Sequence, residues 1–259
     1  MKSSQELLGS AILRLEGGDF SEALIDWMAA AIPHDNIALL AYFQDRNPSL
    51  LFARSETPEV HANLDDSYVN GAYLLDPFHE LHLNQSPSGV YRLIDIAPDQ
   101  FSKNQYFIEY YAKTTMVDEI AFVSYPSRGV SLHLCLGRDR ESSKKYTQGQ
   151  LRDAKSIAPI VSSLLSRQWC NLETSGSYDE RQAIHRLIEL AQSTYEVNLT
   201  DRQGEVIFLI LKGHSSGSIS LQMNIAYQTV KVFRRQIYKK CRISSQAELF
   251  SMFVPLLGK

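Results

Sequence analysis

The sequence predicts an α+β chain in two parts: a mixed sheet covered by helices, followed by an all-α, four-helix C-terminal domain. Three observations predict it. Two pairs of apolar runs, each pair split by turn residues (44–48 and 126–129), read as antiparallel hairpins in the first half. Helical periodicities flank and separate those hairpins. Beyond residue 199 the strand signal stops, and apolar residues recur only at helical spacing, broken by glycine and short turns.

In chain order, residues 5–16 carry Leu8, Ile12 and Leu15 at helical spacing, and Gly17-Gly18 stops them. Asp19 stands where it can cap a second helix running to Ala31, with Phe20, Leu24, Trp27 and Met28 on its inner side and Pro33 ending it. Strands are predicted at 37–43 and 49–54, then broken helix at 63–83, interrupted by Gly71 and Asp76-Pro77. A short strand at 89–94 precedes a helix at 98–114 that opens on Pro98 and is rich in aromatics. The second hairpin pairs 120–125 with 130–137, and alternation sends Ile120, Phe122, Leu132, Leu134 and Leu136 to the core. A long amphipathic helix at 147–169, a linker containing Ser175-Gly176-Ser177 and a helix at 179–194 complete the approach to the C-terminal part.

The net charge of −3 conceals a division. From Leu199 onward nine Lys and Arg stand against three acids, +6, which leaves 17 basic and 26 acidic groups, −9, for residues 1–198. Such asymmetry points to a nucleic-acid-binding end joined to a part that does not bind nucleic acid. Cys135, Cys170 and Cys241 are scattered and odd in number, so neither a disulfide framework nor a paired-cysteine metal site is expected. The N-terminal stretch contains acids and no secretory apolar run, and nothing approaches the roughly 18 apolar residues of a membrane span, so a cytoplasmic protein without membrane contact is expected.

The functional signal lies at 199–250. Thr200 is placed to cap a helix whose apolar face is Val206, Leu209 and Ile210 and whose end is Gly213; Gly204 interrupts it. A short helix at 216–223 turns inward Ile219 and Met223, and Asn224-Ile225-Ala226 turns the chain into a third helix. There Val230, Phe233, Ile237 and Cys241 form a buried seam, while Lys231, Arg234, Arg235, Tyr238 and Arg242 gather on the opposite side. A basic stripe on a helix with an apolar back suits the major groove of duplex DNA, where cationic side chains reach base edges and phosphates.

These residues resemble, without a gap, the C-terminal helix-turn-helix domain of LuxR-type regulators. The matches include Leu199-Thr200, Arg202, Glu205-Val206, Gly213, Ser215, Ile219, Ile225, Thr229-Val230-Lys231, Ile237, Lys240 and Glu248-Leu249. The resemblance implies that Lys231, Val232 and Arg235 face DNA, with Gln228, Thr229 and Arg234 beside them. It also implies a homodimer on two half-sites that recruits or blocks RNA polymerase, with the last helix (Leu249, Phe250, Phe253) giving module packing or dimer contact. The sequence departs from the family at Ser216-Gly217-Ser218, where Asn-Lys-Glu is usual, and at Ala226, where a capping Ser or Thr is usual. Those departures motivate an alternative: an interaction protein with weakened DNA binding that titrates another regulator.

More diffusely, the first half resembles the sensory domain of quorum-sensing LuxR-type proteins, a GAF/PAS-like α-β-α sandwich. The family's Asp-Pro pair is matched by Asp76-Pro77, so Asp76 inherits a contact to a small-molecule effector, although it also reads as a helix cap. The family's upstream Trp is missing and only Tyr68 stands in that stretch, which favours an effector other than an acyl-homoserine lactone. Eleven of 26 aromatics fall between Tyr68 and Tyr125, and Tyr68, Tyr73, Tyr91, Tyr106 and Tyr110 are the candidate pocket residues. Asp118-Glu119 reads as an exposed turn pair that could also meet a ligand amine. His133 and Cys135 share a strand face but have no acid to orient the histidine, and there is no phosphate loop or metal cluster, so neither catalysis nor a cofactor is expected. The expected domains are 1–169 (sensing), 170–180 (linker) and 181–259 (DNA binding).

Overall fold

In the computed structural model, which describes residues 2–62, 64, 68–101, 107–108, 111–140, 142, 144–174 and 180–257, five strands form one sheet whose pairs are all antiparallel, rather than the mixed sheet expected. They are β1 (Asn36–Phe43), β2 (Ser49–Ser55), β3 (Gly89–Arg92), β4 (Met116–Ser127) and β5 (Val130–Asp139), in the order β2-β1-β5-β4-β3. Each predicted hairpin is a sheet pair, β1 with β2 and β4 with β5, and the long-range pairing of β1 with β5 joins them. Every residue of β1 and of β5 is buried, so the centre of the sheet is covered on both faces.

One face carries the main core. Helices α1 (Ser4–Leu13), α2 (Phe20–Ala31) and α5 (Gln148–Gln168) enclose Phe20, Leu24, Trp27 and Met28 against Ile120, Phe122, Leu132, Leu134 and Leu136. Full burial of such side chains contributes about 1.5–3 kcal/mol each. The alternation that sent the last five inward is therefore found as expected. Asp19 precedes α2 without making a side-chain cap bond; its carboxylate accepts instead from Arg14 Nε at 2.7 Å. α5 starts as the sequence suggests, with a reciprocal box in which Thr147 Oγ1 accepts from Gln150 N and Gln150 Oε1 accepts from Thr147 N.

One predicted strand is shorter than its sequence signal. β3 ends at Arg92, and Leu93–Ile96 turns into the helical segment α4. Arg92 is held there by a two-pronged bond to the buried Asp118, at 2.9 and 2.6 Å. Asp118 is thus a strut inside β4 that also accepts from Tyr146 N at 2.8 Å, and not an exposed turn carboxylate. Within the span of the helix expected at 98–114, Phe101 N donates to Pro98 O at 2.9 Å in a turn, residues 107–108 are helical, and Tyr111–Thr114 form a 3-10 turn. Between them, 102–106 and 109–110 lie outside the described residues.

The chain divides into two compact units: Met1–Ala62, Glu80–Ile96 and Thr115–Tyr178 in the first, and Asn63–His79, Ala97–Thr114 and Asp179–Lys259 in the second. The second unit holds α6 (Glu180–Tyr195), α7 (Asp201–Lys212), α8 (Ser216–Gln222), α9 (Tyr227–Cys241) and α10 (Gln246–Leu257). The 3-10 turn Ala72–Leu75 packs on α7 and α10 within that unit. Helix α3 (Pro77–Leu83) follows this turn. Gly204 does not interrupt α7, which is continuous; a Cβ there would lie 2.7 Å from Ile188 Cδ1 and 2.9 Å from Ile184 Cγ2, so the glycine lets α6 approach closely.

Candidate nucleic-acid interface and effector contacts

Each bend of the helix-turn-helix has a local cause. Thr200 and Gln203 form a reciprocal cap at the start of α7, and Gly213 takes a left-handed φ of 97° at its end. Ser215 Oγ accepts from Ser218 N at 3.1 Å and starts α8. Asn224, at φ 51°, turns the chain toward α9, where Ala226 occupies the N-cap with no side-chain bond. Arg242 closes α9 in the left-handed region, with φ 57°.

Along α9, Val230, Ile237 and Cys241 are buried, and Phe233 is half-buried. Gln228, Thr229, Lys231, Val232 and Arg235 are all exposed on the other side, Val232 at 39% despite its apolar side chain. Lys231 Nζ lies 4.7 Å above the Tyr227 ring, which positions the ammonium without neutralising it. Arg234 differs from its neighbours. Half-buried, it donates to Ser216 Oγ at 3.4 Å and to Tyr238 Oη and Gln246 Oε1 at 3.3 Å each, so its fork links α8, α9 and α10. A further tie runs from Lys240 Nζ to Asn198 O (2.7 Å) and Gln203 Oε1 (2.8 Å), and from Gln203 Nε2 to Gln236 Oε1 (3.2 Å). Sequence reasoning had assigned Gln203 no role; the Thr-x-x-Gln spacing from Thr200 was the signal that could have found it. Leu249, Phe250 and Phe253 of α10 are buried in the module, so they supply packing.

Of the effector candidates, Tyr68 and Asp76 meet. Tyr68 Oη donates to Asp76 Oδ2 at 2.7 Å, while Asp76 Oδ1 accepts from Phe78 N at 2.8 Å and so caps α3. Burial outweighs both hydrogen bonds and pushes the Asp76 carboxyl up to about 6. Tyr73 is buried nearby in sequence, edge-on to His79 with ring centroids 4.9 Å apart, and burial raises its phenol to about 12. Tyr91 belongs to β3 in the other unit, where Oη donates to Pro87 O at 2.7 Å. Tyr106 and Tyr110 lie outside the described residues.

The turn at 98–101 makes a contact with the helix-turn-helix that sequence reasoning did not foresee. Gln100 N donates to Gly213 O at 3.1 Å, and Ser215 N donates to Asp99 Oδ1 at 3.1 Å. The Ser215 bonds hold the Asp99 carboxyl below its ordinary range. His133 and Cys135 share a buried sheet face, and His133 Nε2 meets Ser131 Oγ at 3.0 Å. Among the described residues no group of three His, Cys, Asp or Glu is placed to hold a metal ion, and no helix is long and apolar enough to cross a membrane.

Comparison with known proteins agrees with this geometry. The family "Bacterial regulatory proteins, luxR family" matches residues 197–253. A protein of Aeromonas salmonicida, described as an HTH-type transcriptional regulator in the exeN 3′ region, is 28% identical over 185 residues, covering 69% of this chain and 93% of its own. The crystal structure of the VqsR LBD domain from Pseudomonas aeruginosa superposes with a TM-score of 0.55 at 25% identity, over 65% of this chain and 98% of that one. Escherichia coli SdiA is 14% identical with a TM-score of 0.36, spanning 100% of this chain and 92% of its own. Residues 197–253 thus match the helix-turn-helix of the luxR family, and the first half has a fold like that of the VqsR LBD domain.

Proposed function

We propose that the chain acts in the cytoplasm as a homodimer that binds double-stranded DNA through paired α9 helices, under control of a small-molecule effector held by its N-terminal half. The observation that carries this reading is the edge of α9: Gln228, Thr229, Lys231, Val232 and Arg235 are exposed together over a seam whose Val230 and Ile237 are fully buried. The dimer then recruits or blocks RNA polymerase. Residues 1–169 serve as the sensing part, 170–180 as the linker and 181–259 as the DNA-binding part. The Tyr68–Asp76 pair supports an effector contact, since a carboxyl raised by burial can accept from, or donate to, an incoming polar group. The effector is an acyl-homoserine lactone or, in keeping with the missing Trp, another small ligand. It works by binding the DNA-competent state more tightly than the other.

Binding to promoter DNA, followed by fluorescence anisotropy, tests the reading. Lys231→Ala and Arg235→Ala should each cost about 1–3 kcal/mol where the contact reads a base, or lower affinity uniformly and flatten the salt dependence where it meets phosphate. Unchanged binding in both variants rejects the groove assignment. The uncapped Ala226 and the missing cation of α8 favour the rival, a regulator-titrating protein with weak DNA affinity. Saturable, sequence-selective binding by the wild-type chain excludes that rival.

A further inference from the structure

We propose a small-molecule site at the β4–β5 turn of the first unit, built for a compact carboxylate that also carries a hydroxyl or amide N–H. A cavity of about 350 Å³ opens there, lined by Gln44, His82, Gln85, Tyr125, Ser127 and Arg128. That volume falls at the lower end of the roughly 300–1,000 Å³ typical of small-molecule pockets.

The lining selects charge. Arg128 is its one fully charged side chain, is exposed, and makes no ion pair among the described residues. A guanidinium fork with no carboxylate beside it matches a ligand carboxylate in two-pronged geometry, whereas a ligand ammonium would meet no acid. A second positive charge is lacking. His82 forms part of the wall, its Nδ1 2.8 Å from Ser131 Oγ, which in turn lies 3.0 Å from His133 Nε2; the Tyr42 ring packs 4.6 Å from the His133 ring. Burial lowers these two imidazoles to about 4 and about 3, so both are neutral at pH 7 and one anionic group suffices.

The hydroxyls select the rest of the ligand. Tyr125 Oη donates inward to Ser86 O at 2.7 Å and Leu81 O at 3.3 Å, and Ser127 Oγ donates to Leu172 O at 2.5 Å. With both hydroxyl hydrogens spent, the oxygens keep only acceptor capacity, so a ligand that satisfies them must bring its own O–H or N–H. The turn that sets these groups depends on a glycine. Gly129 has φ 77°, which side chains rarely adopt, and a Cβ there would lie 2.5 Å from Thr174 Cγ2 and 2.8 Å from Gln44 Oε1, so a substitution would strain the turn and displace its neighbours.

The site uses none of the residues assigned above to the effector or to DNA, and stands or falls apart from that reading. Calorimetry on the full chain with 3-hydroxybutyrate and N-acetylglycine tests it, with butyrate and 3-hydroxybutyramide as controls that lack the donor and the charge. Saturable binding of at least one probe is expected, weakened about tenfold in each control. Arg128→Gln should weaken it by a similar factor at unchanged Tm, Arg128→Lys should restore part of it, and Asp76→Ala should leave it intact. Absence of saturable binding by both probes, indifference to Arg128→Gln, or loss on Asp76→Ala would each overturn the proposal.

Discussion

Asp76 shows how a single residue can be legible in kind and not in setting. From the sequence it reads both as a cap before proline and as a ligand contact; in the structure it caps α3 through Phe78 N and also receives the Tyr68 hydroxyl. Its burial could not be read from sequence, because it depends on segments far apart in the chain. The consequence is a pH dependence whose sign can be worked out. Since its native pKa, about 6, lies above the ordinary carboxyl value of 3.8, the folded state holds the proton more tightly than the unfolded state. The contribution to stability is therefore full below pH 4 and is lost as pH rises toward and past 6. Two pH units correspond to roughly 3 kcal/mol as an upper figure, and the carboxyl's remaining solvent contact lowers it. Asp76→Asn keeps a cap acceptor but cannot ionise. Its urea midpoint should exceed that of the wild type at pH 7.5, and the gap should close at pH 4.5; a constant difference across that range would show that Asp76 does not titrate in this window. Asp118 was misplaced for the same reason: its partner Arg92 lies 26 residues away, and no local pattern announces a buried pair.

At the scale of elements, short-range chemistry was readable and long-range packing was not. The cap at Thr200 and the stop at Gly213, read from neighbours within a few residues, both occur, and Thr147 and Ser215 cap their helices by the same local chemistry. The bond from Gln100 N to Gly213 O, more than a hundred residues on, is a long-range contact that no local pattern announces. Gly204 was read through helix propensity, yet its role is set by Ile184 and Ile188 of α6. The departures in α8 and α9 are the opposite case, since nothing in the structure compensates them. Ala226 leaves the N-terminus of α9 without a side-chain acceptor, and a Cβ added at Gly217 would meet nothing closer than Ser215 Oγ at 3.6 Å. Ala226→Ser should then add about 0.5–2 kcal/mol and Gly217→Ala up to about 1 kcal/mol. Both gains are measurable as a rise in Tm and should add in the double variant, because the two sites share no partner. If Ala226→Ser stabilises the fold but leaves DNA affinity untouched, α9 is already fully ordered and its missing cap does not limit binding.

For the molecule as a whole, the division into −9 and +6 was plain in the sequence, but where the two charges meet was not. One meeting point is explicit. Asp99, from the acidic part of the chain, accepts from Ser215 N immediately before α8 and lies in the same compact unit as the α9 edge. A carboxylate fixed on a DNA-binding module opposes the approach of phosphate, and its bond to Ser215 ties the 98–101 turn to that module. Two effects then compete on mutation. Removing the charge lowers the repulsion, whereas loosening the turn could disorder the helix-turn-helix. Asp99→Asn separates them, because the amide oxygen still accepts from Ser215 N while the charge is gone. We expect roughly two- to fivefold tighter DNA binding for that variant at low salt, within the range of about 0.2–1 kcal/mol for exposed charge interactions, and convergence with the wild type as salt screens the field. Asp99→Ala, which loses the acceptor as well, should bind no better than Asp99→Asn and should melt at a lower temperature. Anisotropy titrations at two salt concentrations, alongside Tm, resolve the matter: equal affinities for wild type and Asp99→Asn at low salt would make Asp99 a structural tie alone, with no electrostatic hold over DNA.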